Sequence, residues 1–199
     1  RSISSWNTLI KEVFADARTE YREVLYSYRS AKEIIDVFNK VMPKGHTPAI
    51  PVYEIGRKPT AEKILSPEQG IQRVTERLKA FIDSGAKSIG IITKLEKDAV
   101  DLHESLSRAL LTAGSLSAPL HLLSGSEASY QGGISVLPVS LAKGLEFDGV
   151  ILWNASDKEF STSPLDARLL YVALSRAMHS LHIMYQGNLS PLLSKKRTC

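Results

Sequence analysis

The sequence predicts one α/β domain, a mostly parallel sheet with helices on both faces. Three observations carry that expectation. Short apolar runs of strand length recur at Ser88–Thr93, Leu120–Leu123, Ile134–Val139 and Leu181–Tyr185. Most are separated by stretches whose apolar residues repeat at helical spacing. Gly, Pro and Ser punctuate the junctions. With 199 residues there is room for one well-packed core.

In chain order, Ser4–Thr19 reads as a helix with Trp6, Leu9, Ile10, Val13 and Phe14 on one face. Arg22–Tyr28 reads as a strand. Ser30-Ala31-Lys32-Glu33 has the S-x-x-E pattern of a capping box and predicts a helix. Its inward residues are Ile34, Ile35, Phe38, Val41 and Met42, and Pro43-Lys44-Gly45 ends it. His46–Lys63 is rich in proline and charge and reads as loop, with one short strand at Ile50–Ile55. Ser66-Pro67 opens a helix with the stripe Ile71, Val74, Leu78, Phe81 and Ile82, closed by Gly85. After the strand Ser88–Thr93, a second capping pattern from Thr93 to Glu96 starts a helix that runs to about Ala113, before Gly114. The strand Leu120–Leu123, a polar loop over 124–133 and the strand Ile134–Val139 follow. AKGLEFDGVIL (Ala142–Leu152) is a polar turn, small at Gly144, that leads into a buried strand. A charged loop between buried strands can hold a ligand in an α/β sheet, though spacing alone favours an ordinary turn facing water. Ser163-Pro164 opens the last long helix, to near Met178, and Leu181–Tyr185 is the final strand.

Composition narrows the chemistry. A net charge of +4 and a pI near 9.1 are compatible with nucleic acid or nucleotide phosphate as partner, although Lys195-Lys196-Arg197 supplies part of the excess. The one cysteine, Cys199, gives neither disulfide nor metal cluster. No apolar run approaches the ~20 residues that span a bilayer, and no secretory leader is read at the start, so a cytoplasmic protein without a membrane partner is expected. There is no G-x-x-x-x-G-K-[ST] phosphate loop, no H-E-x-x-H zinc pair and no G-x-S-x-G elbow. The five histidines are scattered, and no metal site is expected. The chain does not read as a complete enzyme. It begins at Arg1 rather than Met, and is expected to be a piece of something longer.

Three stretches then combine. Tyr26-Ser27-Tyr28-Arg29-Ser30 leads into a helix, AKGLEFDGVIL follows a strand, and Leu169-Leu170-Tyr171-Val172-Ala173-Leu174-Ser175-Arg176-Ala177 precedes the last strand. In this order they resemble motifs IV, V and VI of the UvrD/Rep-like superfamily 1 DNA helicases. Such helicases hold ATP between two RecA-like domains, and the chain resembles only the second. The resemblance implies a three-layer α/β/α RecA-like domain of the P-loop NTPase type. It spans residues 1–199, with 1–20 a lead-in helix from the preceding domain and 187–199 a C-terminal tail. ATP with Mg2+ would be the cofactor, its metal ligands on an N-terminal RecA-like domain of the same polypeptide.

Roles follow by resemblance. Tyr28 would stack on adenine, and Arg29 would meet the γ-phosphate. Glu146 would accept from a ribose hydroxyl, while Lys143 and Gly144 would approach phosphate and nucleic-acid backbone. Arg176 would be the arginine finger that neutralises charge on the transferred phosphoryl group. Each has a plain reading too: a strand-end tyrosine, a solvated arginine, or a cation near a helix C-terminus favoured by the dipole. Lys94, Ser140 and Lys143 are the candidates for single-stranded or duplex DNA. Ser175 replaces the family's usual threonine, and Pro138 and Ser140 stand where relatives carry DNA-facing residues. The short span between Gly114 and Ile134 leaves no room for the large accessory domain of UvrD-type proteins and is similar to the HelD (helicase IV-like) branch. The alternative is therefore an ATP-driven protein-remodelling module acting on RNA polymerase, with little unwinding.

Overall fold

The computed structural model describes residues 10–14, 20, 22–42, 46–53, 56–113, 118–125, 130 and 132–194. Two sheets are present among them. β1 (Tyr26–Ser27) and β2 (Ile50–Pro51) pair in parallel as a small two-stranded sheet. The main sheet has six strands: β3 (Thr60–Ile64), β4 (Ser88–Thr93), β5 (Leu120–Leu122), β6 (Gly133–Pro138), β7 (Phe147–Leu152) and β8 (Ala177–Gln186). Their spatial order is β3-β8-β7-β4-β6-β5, and every pairing is parallel.

Alternation along the strands feeds two separate cores. In β7, Val150 and Leu152 face one side and Ile151 the other; in β8, Leu181 and Ile183 oppose Met184. On the first face pack α1 (Lys32–Val41), through Ile34, Ile35 and Phe38, and α4 (Pro164–Leu174), through Leu170, Ala173 and Leu174. On the second lie α2 (Pro67–Asp83), through Val74, Leu78 and Phe81, and α3 (Glu96–Ala113), through Ala99, Leu102 and Leu106. The result is the expected three-layer α/β/α domain. A short helix, α5 (Pro191–Ser194), follows β8. Two strand glycines let rings approach the sheet closely. A Cβ at Gly90 would sit 2.7 Å from Phe147, and one at Gly149 would sit 2.5 Å from Phe81, on opposite faces.

Several local expectations are corrected. The Ser30–Glu33 capping box does not form: the N-cap is Ala31, with no side-chain cap, and Ser30 Oγ donates to the Ala177 carbonyl at 2.7 Å. Nor does Thr93–Glu96: Thr93 Oγ1 donates to the Leu95 carbonyl, and Glu96 accepts from Gly125 N. Ser30 and Glu96 are taken by partners distant in sequence, and Thr93 by a carbonyl two residues on. Ser66 does cap α2, accepting from Gln69 N, with Pro67 just inside. The Arg22–Tyr28 strand shrinks to two residues, and within His46–Lys63 a strand, β3, was hidden by flanking charge and proline. The last helix stops at Leu174 rather than near Met178, because β8 already begins at Ala177. Of the expected 4–19 helix only residues 10–14 are described, with 10–12 helical. The Pro43–Gly45 stop, Gly114 and residues 195–199 also lie outside the described residues. Among the described residues no helix is long and apolar enough to cross a membrane.

Candidate functional site

The amino ends of β7 and β8 and the start of α1 converge. Ala31 N donates to the Met178 carbonyl, and Phe147 N donates to the Arg176 carbonyl at 3.0 Å. These bonds tie together three segments far apart in sequence. Between them opens a cleft of about 900 Å³, walled by residues 24–31 and by the α4–β8 turn. Tyr28, Arg29, Glu146 and Arg176 all line it. Open α/β sheets usually take ligands at the carboxyl ends of their strands. This cleft is at the opposite edge.

Arg29 and Glu146 meet directly, Nη2 to Oε1 at 2.5 Å, with their side chains 46% and 38% exposed. A cation just before a helix N-terminus is disfavoured by the helix dipole. Glu146 answers it. Arg176 follows the end of α4 and is held by three acceptors of its own domain. Nε donates to the Val172 carbonyl, Nη1 to the Leu145 carbonyl and Nη2 to Ser175 Oγ, each at 3.1 Å. The first bond caps a free carbonyl at the helix C-terminus, so the plain reading of this arginine has a physical basis. A guanidinium has five N–H donors, so two remain for an anion. Burial pushes the Arg176 pKa down and the Arg29 charge adds to this, while Glu146 and Tyr171 pull the other way. Two guanidiniums and one carboxylate therefore share the cleft.

Tyr28 is 67% exposed and presents an open ring at the rim. Gly144 has φ +86° and is third in the turn Ala142–Leu145, closed by Leu145 N donating to the Ala142 carbonyl at 3.2 Å. Such a turn requires the left-handed region there, which glycine adopts without strain. Lys143, beside it, is exposed. Neither Lys143 nor Gly144 lines the cleft, and the remaining candidates also lie elsewhere. Ser140 is exposed in the 3-10 turn Val139–Leu141 that follows the carboxyl end of β6. Lys94 follows the carboxyl end of β4 and is engaged: Nζ lies 2.7 Å from Asp166 Oδ1, donates to the Glu159 carbonyl and stands 5.2 Å from the Phe160 ring centroid.

Sequence reasoning passed over the other rings of the cleft. Tyr26, Tyr53 and Tyr171 line it as well. Tyr171 packs edge-on to Phe38, centroids 5.3 Å apart at 84°, and so locks α4 to α1 at the cleft wall. Its signal was readable: Tyr171 and Ser175 are four apart, hence on one helix face. Tyr53 had none, because it sits in the proline-rich span. No group of three or more His, Cys, Asp or Glu among the described residues could hold a metal ion.

Comparison with known proteins points to helicase domains. Residues 133–184, from β6 through most of β8, match the family model of the UvrD-like helicase C-terminal domain. The chain is also similar to a crystal structure of the C-terminal domain of a possible DNA helicase from Lactobacillus plantarum WCFS1. The TM-score is 0.69 at 29% identity, over 86% of this chain and 95% of that one. No curated protein matches the chain significantly. One match is to a UvrD-like helicase domain and the other to a possible DNA helicase, and neither singles out the HelD branch.

Proposed function

We propose that this chain, whose residues 133–184 match the UvrD-like helicase C-terminal domain, is the second motor domain of an ATP-dependent DNA helicase or translocase. It supplies half of a split ATP site. The observation that carries the proposal is the meeting of Arg29, Glu146 and Arg176 in one cleft. Two guanidiniums, tyrosine rings and a single acid fit a triphosphate with an attached base. ATP with Mg2+, held chiefly by an N-terminal motor domain, would supply the scissile phosphoanhydride. The metal ligands are assigned to that domain.

Each residue then has a physical task. The two free N–H groups of Arg176 meet charge developing on the transferred phosphoryl group, and its three internal bonds fix their direction in advance. Arg29 neutralises a second phosphate oxygen. Tyr28 offers a flat apolar face to the base. DNA contacts are placed at the other edge of the sheet, near Ser140, and run mostly to phosphate, so they are salt-sensitive and blind to sequence. Lys94 contributes little there, because its ammonium is already satisfied within the domain.

The test uses the full-length parent. Arg176→Ala is expected to lower the ATP turnover number by ~10³ or more while leaving the melting curve cooperative. Arg176→Lys does not rescue, because an ammonium cannot make the three internal bonds and face an anion together. Turnover within tenfold of the parent in Arg176→Ala would refute the finger. The isolated 199-residue chain is expected to show no ATPase activity.

A further inference from the structure

The positive cleft already holds an anion, and it is the domain's own. Glu146 Oε1 stands 2.5 Å from Arg29 Nη2, and its charge also acts on Arg176. We propose that Glu146 is a built-in competitor for oxyanions at the Arg29–Arg176 pair, so that a phosphate-bearing ligand enters by displacing its carboxylate from Arg29. The inference rests on the anion-site reading of the cleft.

The exchange follows from shared chemistry. A guanidinium presents the same planar fork of donors to a carboxylate and to a phosphate, so both cannot take the Nη2 edge at once. Both partners are partly exposed, which keeps the pair weak enough to open. Glu146 sits one residue before β7, on a backbone held by Phe147 N bonding the Arg176 carbonyl. Displacement is therefore a swing of the side chain, with no change in the fold. Once displaced, the carboxylate stays beside the ligand as a pure acceptor.

Titration calorimetry of this chain with inorganic tripolyphosphate at low ionic strength tests the proposal. Glu146→Gln and Glu146→Ala are expected to bind roughly fivefold tighter than the parent chain, the gain from abolishing one partly exposed pair. Arg29→Ala is expected to bind about tenfold weaker. Glu104→Gln removes an equal charge from exposed α3 surface and is expected to stay within twofold. If the Glu146 variants bind no tighter while Arg29→Ala still weakens binding, the competition is overturned and the arginine site stands. An equal gain from Glu104→Gln overturns it too, as a general charge effect. If Arg29→Ala and Arg176→Ala both bind like the parent, the cleft is not an anion site, and both proposals fall.

Discussion

At the scale of single residues, the same side-chain chemistry has been put to different uses at the two edges of the sheet. Lys94 is a lysine after a strand, which from sequence could face a ligand. In the fold it reaches Asp166, whose carboxylate also accepts from Ser161 N at 2.9 Å and Ser161 Oγ at 2.6 Å. Burial raises the Asp166 pKa, but the Lys94 ammonium and the Ser161 bonds outweigh it and hold the carboxyl at about 2. Lys94→Ala leaves that buried carboxylate without its counter-charge and is expected to cost about 1–3 kcal/mol in denaturant unfolding. The effect of this substitution on DNA affinity is expected to be small, and fluorescence titration with labelled single strands checks it. Arg29 is the reverse case. Its type and place before a helix were legible, yet its partner Glu146 was not, since nothing local pairs residues so far apart in the chain.

At the scale of elements, apolar periodicity was a good guide to buried strands and poor at the edges. β4, β6 and β7 are buried on both faces and read as continuous apolar runs. β3 is an edge strand with exposed Thr60 and Ala61, and its Glu62 takes Arg73 at 3.0 Å and Arg77 at 3.6 Å from α2. Its charges looked like loop and are in fact the cover of a sheet edge. Both failed capping boxes teach a related lesson: a hydroxyl near a helix start goes to the better acceptor, wherever that lies. The close contacts of Phe147 on Gly90 and Phe81 on Gly149 give a sharp prediction. Gly149→Ala drives a Cβ into a ring that α2 cannot easily withdraw, and should cost about 1–3 kcal/mol by overpacking. Calorimetric melting of the variant measures it, and a simultaneous Phe81→Leu should recover part of the loss.

For the whole molecule, the strand-helix rhythm made a parallel sheet legible, and the motifs at 142–152 and 169–177 made the match of residues 133–184 to a UvrD-like helicase C-terminal domain legible. The strand order was not, because only packing decides that β7 returns to the far side of β4. Stability against pH is also a property of the assembled sheet. His182 is 1% exposed in β8, with Thr60 Oγ1 2.7 Å from Nδ1. Burial, with help from the Arg77 charge, pushes its pKa down to about 4. Glu62 Oε2 stands 3.4 Å from Nε2 without making a hydrogen bond. The folded-state pKa is depressed below the ordinary 6.5, so the unfolded chain takes the proton first. Stability is therefore full above about pH 6.5 and declines as pH falls toward 4, by at most ~2–3 kcal/mol. Melting temperatures between pH 7.5 and 5 should show the slope, and His182→Gln should flatten it. Asp166 adds a second loss only below about pH 4.

The connection from β6 to β7 has one more consequence. It leaves the carboxyl end of one strand and must reach the amino end of another, two places across the sheet, using only residues 139–146. Six strand residues and two strand spacings set the crossing at about 22 Å. One 3-10 turn and one tight turn leave those eight residues about that much reach and almost no slack. Tolerance to length change is therefore lopsided. An inserted residue bulges outward harmlessly, whereas a deletion must unwind a turn or pull Glu146 away from Arg29. Among natural variants of this domain, this segment should lengthen but never shorten.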